Sequence, residues 1–209
     1  MDSCRSASQG LFFPYQSIDL SKNLNALIEN DFVVKYVPFG LGKRCEHYKL
    51  INSFCIFYLH FIDSHRMFDG HFGTENASLP SVLTWQRYAF ENACFNHVPQ
   101  IKSALGVSGV STMTSAWSGH AEDKNALIDL LLSRNDNVAN MCEIQFCDGD
   151  FTVDKAYFKT ILERQEMLAK EVSPKNVVRS TLITTFGLRH NKYSGVFTNV
   201  VLLDDLFKE

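Results

Sequence analysis

The sequence lacks the features that define most simple protein classes. Only 5 of its 209 residues are Pro and 11 are Gly. No segment repeats or falls into low complexity, which excludes collagen-like and linker-like chains. No apolar run reaches the roughly 18 residues of a membrane span. The densest run, 54–62 (FCIFYLHFI), is too short and half aromatic. The opening MDSCRSASQG has no hydrophobic core of a signal peptide. The 6 Cys, at 4, 45, 55, 94, 142 and 147, form no CxxC, so neither a zinc knuckle nor a disulfide framework is indicated. Reduced thiols in a cytoplasmic protein are expected. The chain has no GxxxxGK(S/T) phosphate loop and no GxGxxG ahead of a helix. His97 and His120 have no Ser or Cys nucleophile at a motif spacing, which leaves a hydrolase triad unsupported.

Charge of one sign is missing too. Lys and Arg number 20 against 23 Asp and Glu, a net −3, which excludes a uniformly basic nucleic-acid coat. The distribution is uneven. Residues 122–154 hold eight acids and two bases (−6), whereas 155–192 hold eight bases and three acids (+5). An acidic stretch running into a basic one suits a cation site beside a polyanion track; two solvated faces of different sign would look the same.

The 45% hydrophobic share, with 17 Phe, is that of a globular chain with a real core. Two units are expected, 1–75 and 81–209, separated by turn-rich 69–80 (DGHFGTENASLP). In the first, Leu20, Leu24, Leu27 and Ile28 recur at helical spacing. Strands over 31–39 and 46–51 flank a Gly40–Leu41–Gly42–Lys43–Arg44 tip, and 54–67 is apolar and helical. Helix, hairpin, helix is the latter part of a winged helix, with its first helices barely visible. The second unit reads as helices over 85–98 and 100–105, then strands over 107–117, 126–133 and 138–146. A helix over 154–172 and strands over 177–185 and 196–203 complete an α/β domain with a mixed sheet.

The chemistry lies in that sheet. Asp129 interrupts an apolar strand, ALIDLLL, where a carboxylate costs several kcal/mol unless it is paired or binds a cation. Across the hairpin stands Glu143-Ile144-Gln145, with Glu143 and Gln145 on one strand face. Two neighbouring strands that each offer a carboxylate suit a hard divalent ion. Spacing alone leaves another reading open, in which Asp129 pairs with a base such as Arg134 or Lys155 and Glu143 faces solvent.

The segments 88–94 (YAFENAC), 97–106 (HVPQIKSALG), 126–131 (ALIDLL), 141–146 (MCEIQF) and 182–188 (LITTFGL) together resemble the PD-(D/E)xK nuclease-like domain at the C-terminus of a bacterial and archaeal family of AAA-type ATPases. The stretch from 33–40 (VVKYVPFG) through 58–62 (YLHFI) resembles the winged helix that stands before it. The resemblance implies a restriction-endonuclease-like mixed sheet flanked by helices, preceded by a partial winged-helix domain. It implies a divalent-metal-dependent nuclease, or a degenerate relative of one that binds nucleic acid or protein without cutting. Mg²⁺ or Mn²⁺ would be held by Asp129, Glu143 and Glu91, with Gln145 where the family commonly has Lys. Lys155 and Lys159 would supply the missing charge and, with Lys43 and Arg44, hold nucleic acid. The implied partners are DNA, an ATPase domain or a second copy of the chain, and no membrane.

Overall fold

A computed structural model describes residues 17–42, 44–63, 78–121 and 124–208. Lys43 and most of the expected linker lie outside the described residues. The chain is a mixed α/β protein, with a five-stranded mixed sheet flanked by helices and a small two-stranded sheet.

Helix α1, Ser17–Glu29, stops where Asp31 enters the left-handed region at φ 58°. Asp tolerates that conformation, and the Phe32 N–H closes the end on the Leu27 carbonyl at 2.9 Å. The hairpin comes next, as expected. Strand β1, Val33–Tyr36, pairs antiparallel with β2, His47–Leu50, from Val33↔Leu50 to Tyr36↔His47. Both strands are shorter than the sequence suggested. Pro38 has no N–H to offer a ladder, and the Phe39 N–H instead donates to Ala116 at 2.8 Å, seating the loop on the large sheet. Asn52 caps the short helix α2, Ser53–Phe57, which continues as a π-helical turn, Tyr58–Ile62.

Helix α3, Pro80–Asn96, starts five residues earlier than expected, with Pro80 in the first turn, where its missing N–H costs nothing. Trp85 ties it to α2, its indole N–H donating to the Ser53 carbonyl at 3.1 Å. Helix α4, Val98–Ala104, ends at Gly106, which takes φ 70°.

The large sheet runs β3 (Thr112–Ala121), β4 (Lys124–Arg134), β5 (Val138–Gln145), β6 (Val177–Thr184), β7 (Asn199–Leu202) in spatial order. The β3–β4 and β4–β5 pairs are antiparallel, and β5–β6 and β6–β7 are parallel. The expected strand over 107–117 lies several residues later, because 107–110 form a turn closed by the Val110 N–H on Val107. Likewise β7 begins late, after a 3₁₀ turn, Ser194–Val196, organised by Asn191. Helix α5, Lys155–Glu171, starts at its Asp154 cap and covers one sheet face. There Ile161 and Leu168 meet Trp117, Ile128, Leu131 and Met141. Helices α3 and α4 cover the other face, where Phe90, Cys94 and Ile101 meet Leu130, Leu132 and Cys142. No helix among the described residues is long and apolar enough to cross a membrane.

Strand β4 is irregular at its centre. Ser115 pairs with Leu131, but Trp117 pairs with Ile128, so Ala116 stands opposite two residues, Asp129 and Leu130. This β-bulge shifts the alternation by one residue. Ile128 and Leu131 pack on the α5 face, and Leu130 and Leu132 on the other. The bulge lets one continuous apolar run serve both cores.

The edge strand β3 also carries a close approach. A Cβ added at Gly119 would collide with the Trp117 ring, which is fully buried and donates its indole N–H to Glu171 at 2.6 Å. Gly119→Ala is therefore expected to destabilise by about 1–3 kcal/mol through overpacking, seen as a lower urea midpoint with an unchanged m-value.

Candidate functional site

The paired residues of β4 and β5 end at Leu130↔Cys142, at the bulge, while β5 runs on to Gln145. A cavity of about 220 Å³ opens where the two strands part, lined by Glu91, Asp129, Glu143, Gln145 and Arg164, among others. The four residues singled out in the sequence thus come together from α3, β4 and β5. A neighbouring cavity shares Glu91, Ile144 and Gln145 and extends to Arg87.

Each acid has a distinct environment. Glu143 is only 6% exposed, so the solvent-facing alternative does not hold for it. It lies two residues from Met141 on the α5 side. There a single Arg164 nitrogen, Nη1, lies 2.8 Å from its Oε1 and 2.7 Å from its Oε2. The Tyr157 hydroxyl donates to Oε2 at 3.2 Å and accepts from the Gln145 amide at 3.0 Å. Burial pushes the Glu143 carboxyl above the usual carboxylate range, with the Asp129 charge adding to it; Arg164 and the hydrogen bonds pull the other way. Burial also pushes the Tyr157 phenol up, and the adjacent carboxylate reinforces the shift, so Tyr157 acts as a donor here.

Glu91 pairs with Lys49 of β2 at 3.5 Å. Its carboxyl is raised as well, by burial first and by the Asp129 charge second. Lys49 stands over the Phe95 ring at 4.2 Å, so the small hairpin reaches into the site. Asp129 has no hydrogen-bond or ion-pair partner among the described residues. The bases proposed for it on spacing do not serve: Arg134 pairs with Asp136 and also donates to Asn140.

The positive charge does not come from where the resemblance implied. Lys159 is 77% exposed and reaches Glu163 at 3.8 Å. Lys155 is exposed, and neither lysine lines the cavity. Arg44 is exposed at the hairpin tip. The cations at the site are Arg164 and Lys49, together with the structural donor Tyr157, and sequence reasoning missed all three. A signal for Arg164 was present. Tyr157, Ile161, Arg164 and Leu168 fall at helical spacing, and Ile161 and Leu168 are wholly buried, so the arginine sits on the inward stripe of α5.

The residues do not fit a divalent ion as they stand. Both oxygens of Glu143 face Arg164, Glu91 faces Lys49, and among the described residues no group of three His, Cys, Asp or Glu is placed to hold a metal. The arrangement is chemically a carboxylate–guanidinium network with one further acid, Asp129, unneutralised.

No family model matches the sequence, and the search of curated proteins gives no match. Among solved structures, the chain is similar to the crystal structure of a protein of unknown function, AF1548, at 15% identity and a TM-score of 0.34. The similarity covers 52% of this chain and 56% of that one, so the chain spans little more than half of that neighbour's length.

The Glu143–Arg164 pair is measurable. Arg164→Met leaves a buried carboxylate without its cation and should cost about 3 kcal/mol at neutral pH. Glu143→Gln should cost less, because Arg164 is 26% exposed and its head can turn to water. The double variant should lie well short of the sum. Without Arg164 the folded state holds the Glu143 proton more tightly than the unfolded chain does. Stability is then full below the ordinary carboxylate range and is lost as pH rises through the raised value. Urea melts at pH 5 and pH 7 should show a smaller Arg164→Met deficit at the lower pH.

Proposed function

We propose that this chain is a nuclease-fold module that does not cleave: a degenerate relative of the divalent-metal-dependent nucleases, working by protein interaction. The single observation that carries this reading is the Arg164 guanidinium held on both oxygens of Glu143. In an active site of this kind that carboxylate would have to be free for the ion. The motif position next to it, Gln145, brings hydrogen bonding but no charge, and its amide is engaged by Tyr157.

Protein rather than nucleic acid is the favoured partner on charge. The net −3 and the acids set among the candidate lysines (Asp154 beside Lys155, Glu163 paired with Lys159) oppose a phosphate backbone. The resemblance names an ATPase domain as the partner class, and the small hairpin-bearing part would be its winged helix.

A second reading, metal-dependent hydrolysis, is favoured by Asp129, whose charge meets no base among the described residues. Incubation of plasmid, single-stranded DNA and RNA with millimolar Mg²⁺ or Mn²⁺ separates the two. The expected result is no cleavage above that of Glu143→Ala. Cleavage that disappears in Glu143→Ala would establish the second reading instead. Fluorescence anisotropy with labelled oligonucleotides at physiological salt should show no saturable binding, and saturable binding would shift the partner from protein to nucleic acid.

A further inference from the structure

We infer that the Arg164 guanidinium is the built-in cation of the pocket, and that it and a divalent cation exclude one another there. The inference rests on the reading of the chain as a non-cleaving relative and assigns the residue responsible.

Three carboxylates, Glu91, Asp129 and Glu143, line the cavity between the parted strands, and two protein cations reach them. Lys49 is committed to Glu91. Arg164 approaches with a single nitrogen nearly equidistant from the two oxygens of Glu143, at 2.8 and 2.7 Å. That geometry places a point of positive charge astride the carboxylate, as a small ion would sit, and is not the two-pronged fork usual for arginine. Burial then decides the matter. Glu143 is only 6% exposed, whereas Arg164, at 26%, can turn its head to water. Without the guanidinium, Glu143 must acquire a proton or another cation. Asp129 lines the same cavity and brings a second carboxylate with no base paired to it among the described residues. Mg²⁺ and Mn²⁺ need no more from protein than one or two carboxylates, since water completes their shell. A 220 Å³ cavity holds several waters at about 30 Å³ each. Among the described residues no group of three His, Cys, Asp or Glu is placed to hold a metal, so an ion admitted here would rest on the two carboxylates and water.

The test is Mn²⁺ calorimetry on the full chain. Arg164→Met should bind one Mn²⁺ about tenfold or more tighter than the wild type. Arg164→Lys, which keeps a cation on the helix, should resemble the wild type, and adding Asp129→Asn to Arg164→Met should abolish the gain. Mn²⁺ should raise the melting temperature of Arg164→Met and leave that of the wild type unchanged. If Arg164→Met fails to fold in chelator, refolding in Mn²⁺ should restore it, and failure to recover overturns the inference. Equal Mn²⁺ affinity of wild type and Arg164→Met also overturns it, as does a gain that survives Asp129→Asn. Cleavage by the wild type would sink the non-cleaving reading, whereas the calorimetric comparison fails or succeeds on its own.

Discussion

The site depends on one ion pair between the sheet and the helix that covers it. Glu143 is carried by β5, the strand that is antiparallel to β4 and parallel to β6, and it is buried. A buried carboxylate is tolerable only with a partner, and the partner comes from the inward stripe of α5. The cost of breaking such a pair exceeds the net worth of having it, because removal of the arginine strands a buried carboxylate. The pair therefore fixes how α5 lies on the sheet more than it adds to stability. Tyr157, two helical turns before Arg164, closes the arrangement by bridging Glu143 and Gln145. The Gln145 side chain is thereby engaged in structure.

The second constraint is the bulge at Asp129 and Leu130. An unbroken ladder would carry β4 and β5 together to their ends and leave no cavity. With one extra residue opposite Ala116, the apolar run of β4 changes faces, the pairing to β5 stops, and the Asp129 carboxylate lies at the mouth of the gap. Bulges of this kind commonly stand beside functional sites, since they re-aim a side chain that strict alternation would bury. The same irregularity that divides the hydrophobic residues between two cores thus creates the pocket. The hairpin completes it by bringing Lys49 to Glu91.

Much of this was legible in the sequence. The order of elements, the helix–hairpin–helix of the first part and the meeting of Asp129 with Glu143 and Gln145 all follow from periodicity and from the turn at 134–137. Boundaries were less legible where local chemistry competes with pattern. Pro80 can open a helix as readily as it can end a linker, and 107–110 look apolar enough for a strand while closing a turn. The bulge was invisible, because ALIDLLL is equally apolar in either phase. The charge partners were misassigned for a related reason. Sequence proximity to the motif points to Lys155 and Lys159, whereas the helix delivers its cation at Arg164, which shares a face with Tyr157, Ile161 and Leu168.

Electrostatic balance in this pocket is set by the protein's own bases. Burial first, and the Asp129 charge after it, hold the protons of both glutamates above the usual carboxylate range. A site that bound an ion would leave the acids mutually exposed in the pocket and set its bases where the ligand's charge develops. Here the bases are spent on the acids themselves, Lys49 on Glu91 and Arg164 on Glu143. Neutralisation from within leaves Asp129 as the one acid of the three with no cation paired to it among the described residues. That acid keeps the pocket polar. The salt bridge between Glu143 and Arg164 thus holds the helix to the sheet at the point where the strands part.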